Sequence, residues 1–223
     1  PLDFELEDMS FQYPGKTSPV FKNVNLKFSG NKMIAFIGKS GEGKSTLLRI
    51  LRKVLVPTEG CVRVNGVSLN QLDTRIFQKQ FAVVDQDVEI FDTTLLENIV
   101  YSEPNSSQDQ IEKALAMAHL LDAVSDGKRF PLGLQSYVGE RGHLLSGGER
   151  QRVGIARAIL SILNGAQVLL LDEATSQLDS ETEGLVVNMI DQLKSQITVL
   201  AVAHRQTTIV RADEVYEIHD HKI

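Results

Sequence analysis

Between Gly38 and Thr46 the chain reads GKSGEGKST, three glycines around a lysine followed by two hydroxyl residues. Glycines at such positions let backbone N–H groups close around the oxygens of an anion, because no Cβ stands in the way. Lys44 adds a fixed positive charge near the β- and γ-phosphates of a nucleotide, and the Ser45 hydroxyl can bind Mg²⁺. The spacing matches G-x-x-x-x-G-K-[ST] in full. The context also fits, since MIAFI before it reads as a strand and TLLRILRKVL after it as a helix. Gly38, Ser40, Gly41, Gly43, Lys44, Ser45 and Thr46 are therefore the expected phosphate-binding residues of a P-loop. Glu42 is the odd member, because a carboxylate beside phosphates weakens binding unless it points to solvent.

A second run, VLLLDEATSQLD, ends four apolar residues in Asp172. That places an acid at the C-terminal end of a strand, where open α/β sheets gather their ligands. It can hold Mg²⁺ through water. Glu173 follows on the other side of the backbone and is expected to polarise a water attacking the γ-phosphate. A third run, LLSGGERQR from Leu144, sets a serine and two glycines ahead of a helix-forming stretch. It is a second anion cradle at a helix start. Two cradles in one small chain raise the question of whose phosphate the second one holds.

These residues need a scaffold. MIAFIG, FAVVDQ, QVLLLDEA and TVLAVAH are near-continuous apolar strands separated by helical patterns, which argues for a mostly parallel sheet covered on both faces. LDFELEDMSFQY and VNLKF alternate apolar and polar residues instead, and VRVNGVSL carries an Asn65-Gly66 turn, so the N-terminal region is expected to be antiparallel. From about residue 87 to 161 the pattern is helical. Ser107 to Gln110 has capping-box spacing with Ile111, Leu115 and Ala118 behind it. Gly147 and Gly148 precede a helix carrying Val153, Ala156, Ile159, Leu160 and Leu163, and Ser180 to Glu183 opens another. The expected fold is α/β: a P-loop NTPase core with a mostly parallel sheet, an antiparallel β region near the N-terminus and an inserted helical lobe. The core lobe is expected over 1–86 and 162–223, and the helical lobe over 87–161.

The bulk numbers narrow the function. The 223 residues are 42% hydrophobic, enough for one well-buried core. Net charge is −6, with 29 acidic against 23 basic residues and no long Lys/Arg run, so no nucleic-acid partner is expected. Cys61 is the lone cysteine, which fits a reducing compartment. No apolar run approaches the roughly 18 residues of a membrane helix. The chain begins at Pro1 and reads as a piece of a longer protein.

Taken in order, these motifs resemble the nucleotide-binding domain of an ATP-binding-cassette (ABC) transporter over nearly the whole chain. The resemblance implies ATP and Mg²⁺ as cofactors. Tyr13 in FQYPG resembles the aromatic that stacks on adenine. Gln86 in VVDQDVEIF resembles the glutamine between the lobes, which senses Mg²⁺ and the membrane half. LSGGE, with Ser146, Gly147, Gly148 and Glu149, resembles the family signature. Asp179 ends a loop resembling the one that touches the opposite subunit, and His204 in AVAHR resembles the switch histidine at the γ-phosphate. The second cradle then has an owner. What the resemblance implies is a head-to-tail pair, with a second copy or a paralogue, in which the P-loop of one chain and LSGGE of the other sandwich the same ATP.

YVGERG, residues 137–142, and FDTTLLENI resemble exporter loops, the former contacting the coupling helix of the transmembrane domains. An ATP-hydrolysing exporter motor on the cytoplasmic face of a membrane is therefore the expected function. Departures from the family are Glu149 for the usual Gln, Gln177 for Ala and Asp85 for Pro. The alternatives are a regulatory ATP-binding module with little hydrolysis, a soluble ABC ATPase not linked to transport, and a P-loop kinase or GTPase. The first is disfavoured by the presence of Glu173 and His204. The second lacks a visible coiled-coil insertion or basic face, and LSGGERQR counts against the last.

Overall fold

The computed structural model describes residues 1–85, 87–172, 180–193, 196–203 and 206–223. In chain order the elements are β1 (Phe4–Phe11), β2 (Phe21–Phe28), β3 (Met33–Ile37), α1 (Lys44–Leu51), β4 (Glu59–Val64), β5 (Val67–Ser68), α2 (Thr74–Gln78) and β6 (Phe81–Asp85). They continue with α3 (Leu95–Ile99), α4 (Gln108–Met117), α5 (Leu121–Ser125), α6 (Gly147–Leu163), β7 (Val168–Asp172), α7 (Ser180–Leu193), β8 (Thr198–Val202), α8 (Gln206–Ile209) and β9 (Glu214–Glu217). One sheet has the order β6-β7-β8-β3-β9 and the other β2-β1-β4-β5. The protein is thus a mixed α/β fold with a five-stranded and a four-stranded sheet, as the patterning predicts.

The chain divides into two compact units. The first comprises Pro1–Phe81, Gln167–Glu173 and Leu193–Ile223. Here β3, β8 and β7 run parallel, with Met33, Ile34, Ala35, Phe36, Val199, Leu200, Ala201 and Leu169 all fully buried. Strands buried on both faces must read as unbroken apolar runs, and these do. The α1 residues Leu47, Ile50 and Leu51 are buried as well. The register sets Asp172 level with Val202, and Val202 level with Phe36. The acid at the end of β7 therefore stands at the edge where β3 gives way to the glycine loop. In the antiparallel sheet, β4 and β5 join through Asn65 (φ 50°) and Gly66 (φ 78°), both left-handed, the two-residue turn that an Asn-Gly pair favours.

The second unit comprises Ala82–Ala166 and Ala174–Gln192, and among its described residues are α3 to α6, most of β6 and all but the last residue of α7. Three of its helices start on complete capping boxes, each with a side chain exchanging bonds across one turn: Thr94/Glu97, Ser107/Gln110 and Ser146/Glu149. The Ser107 box is the one expected from spacing. On α6, Val153, Ala156, Ile159 and Leu160 are buried as the sequence pattern predicts, while Leu163 in the last turn is only half-buried. Asn98 on α3 is fully buried. Its Oδ1 accepts from Phe91 N–H (2.9 Å) and Arg157 Nη2 (2.8 Å), and its Nδ2 donates to the Phe91 and Thr94 carbonyls (3.0 Å each). One amide thereby closes the 91–98 turn and anchors an arginine from α6.

A buried donor or acceptor left without a partner costs about 1–3 kcal/mol. Asn98→Ala strips partners from several at once and is expected to lower unfolding free energy by about 2–4 kcal/mol, read from urea denaturation. A loss below about 0.5 kcal/mol, the range of an ordinary surface change, is the outcome that removes Asn98 as the anchor of this turn.

Candidate functional site

β3 delivers the chain into the glycine loop with no room for a side chain at Gly38 or Gly43. A Cβ at Gly38 (φ 145°) would sit 2.5 Å from the Ile218 carbonyl, and one at Gly43 (φ 100°) 2.4 Å from Val20 Cγ1. Both the backbone conformation and the neighbours exclude a larger residue at Gly43. Gly43 then acts as the N-cap of α1, with no side chain covering the first N–H groups. Those donors and the positive end of the helix face the loop. Lys44 is 4% exposed, and its Nζ donates to the Gly38 and Lys39 carbonyls at 2.8 Å each. Two of its three protons are thus held by the loop itself, which fixes the ammonium over the cradle.

Ser45 Oγ donates to Asp172 Oδ1 at 2.8 Å. A hydroxyl and a carboxylate brought together are hard oxygen donors of the kind Mg²⁺ takes, usually with phosphate oxygens completing the shell. Among the described residues no group of three or more His, Cys, Asp or Glu could hold a metal ion. Tyr13 reaches the same loop, its hydroxyl 3.0 Å from Thr46 Oγ1 and its ring edge-on to Phe11 at 4.9 Å. A tyrosine from the strand end is in this way tied to the last residue of the P-loop.

Glu42 turns back onto the loop rather than out to solvent. Its Oε2 accepts the Lys39 N–H at 2.8 Å, and its Oε1 lies 3.4 Å from His219 Nδ1. The Lys39 N–H, with help from His219, holds this carboxyl below the usual carboxylate range. Glu42 is therefore a brace of the loop, a role its type and position did not reveal. His219 was not singled out in the sequence; it reaches the loop because the end of β9 runs beside β3, Ile218 N–H bonding the Ile37 carbonyl at 2.8 Å.

The other cradle lies in the second unit. Ser146 caps α6, its Oγ accepting the Glu149 N–H at 3.2 Å while Glu149 Oε2 accepts the Ser146 N–H at 2.7 Å. Ser146 and Gly147 are exposed, and Gly148 is half-exposed. The serine hydroxyl, already accepting inward, keeps its own proton to donate outward. Arg129 grips Glu149 with two nitrogens, Nε on Oε1 at 2.5 Å and Nη2 on Oε2 at 2.8 Å. This partner was also missed. The signal for it was the acid at 149 itself, which called for a cation.

The structure thus gathers Tyr13, Gly38, Ser40, Gly41, Gly43, Lys44, Ser45, Thr46 and Asp172 in the first unit, and Ser146, Gly147, Gly148 and Glu149 in the second. Gln86, Glu173, Asp179 and His204 lie outside the described residues.

A glycine loop at the end of a parallel strand, its lysine folded over it and its serine joined to an acid from another strand, defines a P-loop nucleotide-binding protein. The chain belongs to the ABC transporter family, whose model matches residues 21–176, a span holding the P-loop, the signature and Asp172. Among its relatives is the ATP-dependent lipid A-core flippase of Salmonella typhimurium strain LT2, 38% identical over 219 residues, covering 98% of this chain and 37% of that protein. The flippase of the same description from Escherichia coli K12 matches at the same identity and coverage. A solved structure of a bacterial Atm1-family ABC exporter with ATP bound superposes with a TM-score of 0.89 at 29% identity, covering 99% of this chain and 37% of that one. The chain therefore spans about a third of the length of these relatives.

Lys44→Ala removes the cation held over the loop, a charge-assisted contact of about 1.5–3 kcal/mol. Affinity for a fluorescent ATP analogue is expected to drop roughly ten- to a hundredfold. Unchanged affinity with an intact fold places the lysine away from the phosphates.

Proposed function

We propose that this chain is the ATP-binding and ATP-hydrolysing motor domain of a membrane ABC exporter, and that it works as a head-to-tail nucleotide-sandwich dimer. The observation that carries the reading is the Ser45–Asp172 bond, which brings the P-loop hydroxyl and the strand-end acid to one point. In this reading the core lobe is 1–86 with 162–223 and the helical lobe is 87–161. Family membership and the exporter relatives support it.

Tyr13 stacks on the adenine. The backbone N–H groups from Ser40 to Thr46 and the Lys44 ammonium hold the β- and γ-phosphates. Ser45, Asp172 and Gln86 hold Mg²⁺, which neutralises phosphate charge when bound. Glu173 accepts a proton from a water whose oxygen attacks the γ-phosphorus. The bond to the bridging oxygen then breaks, leaving ADP and phosphate. His204 contacts the γ-phosphate from the side. The partner chain supplies Ser146, Gly147 and Gly148 against the same phosphate, and Asp179 contacts it across the interface.

The transmembrane domains dock on the second unit at the cytoplasmic face. Tyr137 is 55% exposed, and its hydroxyl donates to Asp92. Thr94 pairs with Tyr137 through the backbone, so the YVGERG loop is stitched to the turn after Asp92. Close by in sequence, Phe91 and Tyr101 stack at 4.3 Å beside a cavity of about 260 Å³ that Arg157 also lines. Exposed aromatics rimmed by charge suit a protein partner.

The test is light scattering of Glu173→Gln with and without saturating Mg²⁺ATP. The variant is expected to bind ATP, dimerise with it, and turn over about two to four orders of magnitude more slowly than the parent chain, the usual contribution of a positioned base. Asp172→Asn is expected instead to weaken Mg²⁺-dependent binding. A Glu173→Gln chain that stays monomeric at high concentration with ATP overturns the sandwich, and one that hydrolyses at the parental rate overturns the base.

A further inference from the structure

The signature helix carries a contradiction that its own sequence creates. Its N-terminus is useful because it attracts an anion, through the Gly147 and Gly148 N–H groups and the helix dipole. Glu149 stands in the same first turn. An unpaired carboxylate there opposes a second anion a few ångströms away. Glutamine gives the same capping box without the charge, so the acid needs a compensating group.

Arg129 fits that need in three ways. Its guanidinium takes both Glu149 oxygens in a fork, at 2.5 and 2.8 Å. The Nη2 also donates to the Leu144 carbonyl, two residues before the cap, so the turn into the helix is pinned at both ends. Its charge rests over the Phe130 ring at 5.0 Å, which limits its freedom to swing away. The side chains are 43% and 16% exposed, so the pair lies at the surface the cradle presents.

We propose that Arg129 is a positioning residue of the signature cradle: it neutralises Glu149 and holds the 144–146 turn, so that the helix start stays attractive to the phosphate of the partner's nucleotide. The proposal rests on the sandwich reading above. Arg129 makes no contact with the nucleotide in it and acts only through Glu149 and the backbone. The titration of Glu149 agrees. Its carboxyl is pulled down to about 2, chiefly by Arg129 and against the cost of burial, with the Ser146 backbone and hydroxyl adding to the effect.

The experiment compares Arg129→Gln, Arg129→Lys and the same changes in an Glu149→Gln background, all on the Glu173→Gln chain. Two readouts are taken. The first is ATP-driven dimerisation by light scattering, with ATP-analogue binding to the monomer as a control. Arg129→Gln is expected to weaken dimerisation about ten- to thirtyfold when Glu149 is present and less than twofold when residue 149 is Gln. Arg129→Lys is expected to recover part of the loss, because a point charge replaces a fork. Monomer binding is expected to be equal throughout, since the P-loop is untouched. The second readout is the Glu149 carboxyl titration by NMR on the nucleotide-free chain. Its midpoint is expected at about 2 in the parent and is expected to rise toward the ordinary carboxylate range in Arg129→Gln. The stability that the pair contributes is then present above the ordinary carboxylate value and lost as pH falls toward 2, and Arg129→Gln removes it.

Equal losses in both backgrounds make Arg129 a plain brace and overturn the charge argument. An unmoved Glu149 midpoint does the same without reference to any dimer. A parent that dimerises normally alongside an unaffected Arg129→Gln overturns this proposal alone. A parent that never dimerises overturns the sandwich, and this proposal with it. Should Arg129→Gln fail to fold by circular dichroism, the Arg129→Lys pair carries the same comparison.

Discussion

One hydrogen bond between residues far apart in sequence, Ser45 to Asp172, joins the two halves of the nucleotide site. The two strands that lead to them are not neighbours, since β8 lies between β3 and β7. Strands are spaced about 4.8 Å apart, so the acid starts roughly 10 Å from the end of β3. Only an element crossing over the strand ends can close that gap. The N-terminus of α1 does so, because the glycine loop turns the chain back across the sheet and Gly43 lets the helix begin at once. A β-carbon at Gly43 would meet Val20 and push the helix start outward, and Ser45 with it. The buried strands supply the rigidity, because side chains packed on both faces leave Asp172 no freedom to shift along the sheet.

The same bond explains why the fold was legible at this point. A P-loop is a local code: glycine positions, a lysine and a hydroxyl within nine residues, flanked by an apolar strand and an amphipathic helix. Each part follows from the chemistry of adjacent residues. The strand-end acid is equally local, since VLLLD is a run that has to be a buried strand and its first polar residue has to mark the strand's end. The capping boxes at Ser107 and the Asn65-Gly66 hairpin were visible for the same reason. What could not be read were the pairs closed by tertiary structure. Asn98 looks like an ordinary polar residue in a helix, and nothing near it shows that it is fully buried or that Arg157 reaches it. Arg129 and Glu149 stand twenty residues apart across a segment with no regular pattern. His219 meets Glu42 only because β9 is laid parallel to β3. Gln86, Glu173, Asp179 and His204 were legible as motif positions, and their geometry lies outside the described residues.

A common logic joins the two cradles. Each is a turn that exposes backbone N–H groups, and each carries one glutamate that takes one of those N–H groups for itself. Glu42 takes the Lys39 N–H, and Glu149 takes the Ser146 N–H. A carboxylate accepting from a backbone amide stabilises a turn more strongly than a neutral acceptor does. That keeps a loop rich in glycine in one shape, against the conformational entropy glycine otherwise carries. The drawback is charge. On the proposed reading, a turn that receives phosphate now contains an anion, and the drawback grows with how completely that anion remains uncompensated.

The two turns compensate to different degrees, and the difference follows from the cation each one has. Arg129 stays charged at any pH a cell reaches and meets Glu149 through a two-pronged contact, so the signature turn is close to neutral under all such conditions. At the P-loop the facing group is His219, 60% exposed, 3.4 Å away and charged only when protonated, with Asp220 at 3.1 Å from its other nitrogen. Contacts of that kind between exposed groups are weak and screened by salt. The P-loop can tolerate a poorly compensated Glu42 because Lys44 is already fixed over the same loop by two carbonyls. The signature turn has no lysine enclosed by it in that way: Arg150 reaches back to the Leu145 carbonyl at 2.8 Å, and the cation that meets Glu149 is Arg129. On the proposed sandwich reading, a strong ion pair at one cradle and a weak one at the other are two answers to the same requirement, that the phosphate arrive at a turn whose net field still attracts it.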